Sequence, residues 1–80
     1  MHQITVLRQL ANEYITLFNQ HAAKGMANSI ELQTETALEA LAEVAYRNQY
    51  AALYRAIADC KNQLEHHRII SPVAVMGVRA

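Results

Sequence analysis

The sequence predicts an all-α protein built from three helices, and three observations lead to that class. Residues 28–71 contain neither glycine nor proline, so nothing there obliges a helix to stop. Apolar residues recur at three- and four-residue intervals, which is the spacing of one helical face. Within this stretch the apolar residues also shift from one side of the helix to another, so a single straight helix cannot keep them all on one face. We therefore expect helices over about residues 3–23, 29–46 and 49–67.

The first helix is indicated by an apolar stripe and a stop signal. The stripe consists of Ile4, Leu7, Ala11, Tyr14 and Phe18, widened by Leu10 and Leu17. A lysine and then Gly25 follow the stripe, which is typical of a left-handed C-cap with a cation near the negative helix end. Leu7, Tyr14 and Phe18 are expected to lie in the core or in an oligomer interface.

The second helix is expected to start near Asn28, because Glu31 follows it at the spacing of a capping box, with Ser29 as the alternative cap. Its apolar side is predicted to present Ile30, Thr34, Ala37, Leu38, Leu41, Val44 and Ala45. Leu38 and Leu41 are the candidates for the core or an oligomer interface. An acidic row runs beside this stripe and comprises Glu31, Glu35, Glu39 and Glu43.

The third helix carries the most regular stripe, formed by Tyr46, Tyr50, Leu53, Ile57, Cys60 and Leu64. At about 100° per residue this stripe is rotated by roughly 120° around the helix axis from the stripe of the second helix. In one straight helix the two stripes would therefore point towards different sides. We therefore predict a turn at residues 47–49, with Leu53, Ile57 and Leu64 in the core or an oligomer interface. One long helix that uses both faces between subunits is the alternative, since no glycine or proline marks the junction.

The C-terminal segment, residues 69–80, differs in amino-acid composition from the predicted helices. It is rich in β-branched residues and contains Pro72, a composition that favours extended backbone. We expect an apolar tail that crosses the bundle surface, adds a strand to another subunit or enters a groove of a partner. The whole chain, residues 1–80, is interpreted as a single helical domain that includes this tail.

The size and composition of the chain predict self-association. A domain of 80 residues buries only roughly 60% of the surface that its unfolded chain exposes, so its core alone is marginal. Hydrophobic residues nevertheless form 52% of the chain and charged residues 18%, which excludes a disordered segment. We therefore expect a homo-oligomeric helical bundle.

Charge and cysteine content bear on partners and compartment. Seven basic and seven acidic residues give a formal net charge of zero, so the chain has no overall positive field to attract nucleic acid. Cys60 is the only cysteine, which excludes an internal disulfide and favours a reducing compartment. No apolar run is long enough to cross a bilayer, and no signal peptide is recognisable. A cytoplasmic protein without membrane contact is expected.

No constellation of residues predicts catalysis or a cofactor. Cys60 lies almost two helical turns from His66, too far for a nucleophile and base within one helix, and it occupies a core position. No glutamate has a histidine three residues later, as a bundle di-iron site requires. Glycine-rich phosphate loops are also absent from the sequence. We expect a protein that is not an enzyme, with no catalytic, cofactor-binding or metal-binding residues.

Two surface patterns are candidates for partner binding. The first is the acidic row, Glu31, Glu35, Glu39 and Glu43, whose like charges repel and which is either a solvated face or a docking strip for a cationic surface. The second is a tyrosine ladder edged by arginines, a composition favoured at interface centres. It consists of Tyr46, Tyr50, Tyr54, Arg47 and Arg55. The alternative interpretation is that these tyrosines lie at the edge of an ordinary contact between two helices and bind no partner.

These patterns together favour a small regulatory or adaptor protein that binds and blocks another protein, in the manner of an antirepressor or anti-adaptor. A transcription regulator with a basic surface is the expected kind of partner. The first alternative is a DNA-binding helix-turn-helix regulator formed by the second and third helices, although its acidic row opposes DNA binding. The second alternative is a structural bundle component or a secretion chaperone.

Overall fold

The structure, a computed structural model, describes residues 3–66, which form three helices. They are α1 (Gln3–Ala23), α2 (Ala27–Arg47) and α3 (Ala51–Glu65), and this part of the chain contains no strand. The all-α class and the predicted bounds of α1 are confirmed. The ends of α2 and α3 differ by one or two residues from the predicted ranges. The predicted tail, residues 69–80, lies outside the described residues.

The turn between α1 and α2 closes with a left-handed residue, as predicted. Gly25 has φ +72°, and its N–H donates to the carbonyl of Ala22 at 3.0 Å. The N–H of Met26 reaches back to the carbonyl of His21 at 2.8 Å. These two bonds form a Schellman motif, which satisfies carbonyls that the end of α1 would otherwise leave without donors.

The predicted start of α2 is wrong. Met26 occupies the N-cap position and makes no side-chain capping bond, and helical geometry begins at Ala27, ahead of Asn28. The hydroxyl of Ser29 donates to the carbonyl of Met26 at 2.7 Å, so Ser29 does not cap the helix with its side-chain oxygen either. The Schellman turn explains the difference, because it ends at Met26 and returns the chain directly to helical geometry.

The predicted break between α2 and α3 is confirmed, and one continuous helix is excluded. The N–H of Gln49 donates to Tyr46 at 3.0 Å, and the N–H of Tyr50 donates to Ala45 at 2.9 Å. This is the Schellman pattern again, but here Gln49 takes the left-handed position with φ +65°. A side chain in that conformation costs about 1 kcal/mol relative to glycine. The amide of Asn48 also donates to the carbonyl of Val44 at 2.8 Å and so helps to close the helix end.

The core is centred on α2, which packs along both other helices, whereas α1 and α3 touch each other at only a few positions. Six predicted core residues are buried: Leu7, Phe18, Leu38, Leu53, Ile57 and Leu64. Leu41 is half-buried and packs against them. Thr34 is also buried, as its place in the predicted stripe implies, and its hydroxyl donates to the carbonyl of Ile30 at 3.0 Å. Its polar group is therefore satisfied.

The predicted stripe of α1 is partly wrong. Tyr14 is exposed, and the neighbouring Ile15 fills the core position instead. Leu10 and Leu17, expected to widen the buried stripe, are exposed as well. Apolar residues cover about half of the circumference of α1, and α2 covers only part of that arc. On α2, Val44 is exposed for the same reason, since it lies at the edge of the contact.

The two left-handed turn residues make a matched test of the backbone. Gly25→Ala should lower the free energy of unfolding by about 1 kcal/mol, because the added Cβ meets no atom within 4 Å and the strain lies in the backbone alone. Gln49→Gly should instead raise it by about 0.5 kcal/mol, as relief of strain exceeds the added entropy of the unfolded chain. Urea unfolding followed by circular dichroism measures both. Equal destabilisation by the two substitutions would contradict this account of the turns.

Candidate protein-binding surface

A surface groove runs between α2 and α3, and we call it the α2–α3 groove. The two helices are antiparallel, because Tyr46 lies beside Tyr54 near the turn and Glu39 lies beside Lys61 further away. The groove has a volume of about 580 Å³ and is lined by Leu38, Glu39, Ala42, Glu43, Tyr46, Tyr54, Ile57, Ala58 and Lys61. Its floor is apolar, while its rim carries aromatic and charged side chains.

Two tyrosines form the end of the groove next to the turn. The ring centroids of Tyr46 and Tyr54 lie 5.4 Å apart, with the ring planes inclined by 55°, which is a favourable tilted arrangement. Tyr46 is 68% exposed and Tyr54 is 38% exposed. Paired aromatic rings held in place but open to solvent can bury a large apolar area against a partner at little further entropic cost.

Two glutamates of the acidic row form ion pairs with basic side chains of the same chain. Arg47 donates to the Glu43 carboxylate at 2.8 Å, and Lys61 donates to the Glu39 carboxylate across the groove at 3.3 Å. The repulsion along the row is therefore offset at these two positions without an external partner. Both pairs are exposed to solvent, so each stabilises the fold by only about 0 to 1 kcal/mol. The row therefore needs no external cation to offset its repulsion at these positions, and its presence alone does not identify a docking strip.

The remaining candidates from the sequence lie outside the α2–α3 groove. Tyr50 is half-buried, and its hydroxyl donates to the side-chain carbonyl of Gln3 at 3.4 Å, so it joins the start of α3 to α1. Arg55 is exposed, and its Nε donates to the carbonyl of Ala51 at 3.4 Å. Glu31 and Glu35 are half-buried on α2 and do not line the groove. The predicted ladder is thus reduced to two tyrosines, with Arg47 beside them.

Lys61 is the charged groove residue that the sequence analysis did not identify, and the small residues Ala42 and Ala58 of the floor were not identified either. A signal for it existed, because Lys61 lies seven residues after Tyr54 and therefore on the same face of α3. Once a turn is placed near position 50, Lys61 and Glu39 stand at equal sequence distance from it, as antiparallel neighbours do. Pairing opposite charges across the turn therefore predicts the contact between Lys61 and Glu39.

Cys60 is buried in the core, as its stripe position predicted. Burial raises the pKa of its thiol to about 11, and the neighbouring Asp59 carboxylate adds to the shift. The thiol is therefore protonated at neutral pH, and the reactive thiolate is scarce. Within residues 3–66 no group of three or more histidine, cysteine, aspartate or glutamate side chains is placed to hold a metal ion.

The raised pKa of Cys60 predicts a loss of stability at alkaline pH. The folded protein keeps the thiol proton above the ordinary pKa of 9.0, whereas the unfolded chain releases it. Stability from this group is present below pH 9 and falls as the pH rises towards 11, by at most about 2 kcal/mol.

The measurement is the free energy of urea unfolding at pH 8 and pH 10, with Cys60→Ala as the control that differs from the wild type only in lacking the thiol. The wild type should lose more stability than the variant between the two pH values. Equal losses would show that the thiol does not contribute to the pH dependence.

Comparison of the chain with known protein families, with curated proteins and with solved structures found no match. Among the described helices, none combines the length and the apolar character that crossing a membrane requires. The surfaces that the three helices present are therefore the basis on which a function can be proposed.

Proposed function

We propose that this chain is a small non-enzymatic regulatory or adaptor protein that binds another protein through the α2–α3 groove. The exposed pair of Tyr46 and Tyr54 carries the proposal. These rings stand over an apolar floor. Arg47 follows Tyr46 in the chain, lines a neighbouring surface pocket with it and pairs with Glu43 of the rim. Tyrosine with arginine is the composition that dominates the energetic centres of protein interfaces.

The chemistry of the groove favours a partner segment with an apolar ridge and cations at its edge. Ala42 and Ala58 form the accessible part of the floor, above the fully buried Leu38 and Ile57, and these small side chains leave room for apolar groups of a partner between the two helices. Glu39 and Glu43 sit on the rim in exposed ion pairs, so a basic partner can displace Lys61 or Arg47 at small cost. A transcription regulator whose basic surface is masked on binding is the partner class that we propose.

The α2–α3 geometry gives less support to a helix-turn-helix that reads DNA. In that motif two short helices cross at about 90–120°. Here α2 and α3 stay side by side from the tyrosine pair to the Glu39 and Lys61 pair. The surface between them presents two carboxylates together with two cations, so it has no excess positive charge for phosphates.

The test is affinity purification from native cells with tagged wild-type and variant chains, followed by isothermal titration with the captured protein. Tyr46→Ala together with Tyr54→Ala should weaken binding about 30-fold or more, because truncated interface tyrosines commonly cost about 2 kcal/mol or more. Arg55→Ala is the matched control on α3, since Arg55 lies outside the groove, and it should bind as the wild type does.

Two results would contradict the proposal. One is a partner that binds the double tyrosine variant as tightly as the wild type while circular dichroism shows both to be folded. The other is tight, steeply salt-dependent binding of random duplex DNA, which would favour the DNA-binding alternative.

A further inference from the structure

A second surface, separate from the α2–α3 groove, lies on the outer side of α1 and α2. Four large apolar residues of α1 are exposed along it: Val6, Leu10, Tyr14 and Leu17. Their spacing of four, four and three residues places them in one line along the helix, about 100° around from the buried line of Leu7 and Phe18. The apolar arc of α1 thus continues out of the core into solvent.

The neighbouring side of α2 extends this apolar line into a broader face. Tyr14 of α1 and Leu32 of α2 border an open groove of about 650 Å³, floored by Ala37 and Ala40 and completed by uncharged polar residues. Leu32 is 73% exposed, the largest exposure among the large apolar residues that the structure describes. We call this surface the α1–α2 face, defined by Val6, Leu10, Tyr14, Leu17, Leu32 and Ala40.

The α1–α2 face lacks charge across its centre. None of its six defining residues carries a charge. The charged side chains at its margins are Glu13, beside Leu17, and the acidic row of α2, beside Leu32 and Ala40. Depletion of charged residues around a tyrosine, with charge confined to the rim, is the signature of an interface centre. A solvated helix face would carry the lysines and glutamates that α2 and α3 show elsewhere.

We propose that the α1–α2 face is the interface between two copies of this chain, with the two α1 helices antiparallel about a twofold axis. The midpoint of the apolar line falls between Leu10 and Tyr14. An antiparallel pairing about that midpoint sets Leu10 against Tyr14 of the second copy and Val6 against Leu17 of the second copy. The same patch then serves both chains, as a twofold interface requires.

Charge favours a second copy as the occupant. Near a twofold axis a side chain meets its own counterpart, so any charge there would face a like charge. The α1–α2 face avoids this repulsion at its centre, because its groove lining is uncharged and the carboxylates beside it, Glu13 on α1 and the acidic row on α2, stand at its edges away from the α1 axis. The chain as a whole has a net charge of zero, so two copies approach without long-range repulsion.

The size of the α1–α2 face suits a dimer of small helical chains. The face spans residues 6–17 of α1 and 32–40 of α2, about 18 Å and about 14 Å of helix, so at about 10 Å of width for each helix its flat projection is roughly 300 Å². The side chains that protrude from this strip, and the rest of the two 21-residue helices on either side of it, bring the surface available to a second copy towards the approximately 800 Å² that each partner buries in a stable complex. The small floor residues Ala37 and Ala40 leave room for a side chain of the second copy.

The test is sedimentation velocity of the full chain from low micromolar to millimolar concentration. The wild type should rise from 9.0 kDa towards twice that mass. Leu10→Lys should weaken the dimer about tenfold or more, since it places two lysines near the axis. Tyr54→Lys is the matched control, because Tyr54 is as exposed as Leu10 but lies in the α2–α3 groove, and it should leave the dimer intact.

Circular dichroism checks that each variant is folded, and Leu17→Gln is a milder substitution on the same line should Leu10→Lys unfold the chain. A wild type that stays at 9.0 kDa would overturn the proposal, as would a dimer unaffected by both α1 variants. A chain that dimerises only after residues 69–80 are removed would also overturn it, because those residues would then occupy the face. None of these results depends on the partner proposed for the α2–α3 groove.

Discussion

The fold depends on the central position of α2, which packs against both of the other helices. Because α1 and α3 hardly touch, each of them buries its apolar residues almost entirely against α2. The small residues Ala42 and Ala45 on the buried side of α2 allow close approach of its neighbours. An arrangement with one central helix leaves a flank of α1 and a flank of α3 without helical neighbours. The α1–α2 face includes the open flank of α1, and the α2–α3 groove runs along the seam between α2 and α3.

The two turns solve the same geometric problem with different residues. Each closes a helix with a Schellman pair of hydrogen bonds around one left-handed residue, which is Gly25 in the first turn and Gln49 in the second. The second turn also determines the register of α2 against α3. It brings Tyr46 to Tyr54 and Glu39 to Lys61, so the α2–α3 groove depends on a strained backbone position.

The α2–α3 groove and the α1–α2 face have different chemistry, and no residue lines both. The groove combines tyrosines with exposed ion pairs, which suits a reversible partner of mixed character. The uncharged α1–α2 face suits a more permanent contact between identical chains. A dimer formed through the face would carry two grooves, so a partner with two copies of its binding segment would gain affinity from simultaneous engagement.

The sequence by itself determined the helical class, the extent of α1, the break near position 48 and the buried line of α3 from Leu53 to Leu64. These follow from apolar spacing and from a local stop signal, which act within one helix. Only the tertiary structure decided that Ile15 is buried in place of Tyr14, that Tyr50 contacts Gln3, and that Lys61 pairs with Glu39. The spacing of residues in the sequence fixes the direction in which each side chain points around its own helix. Whether that side chain is buried or paired depends on where the neighbouring helices lie.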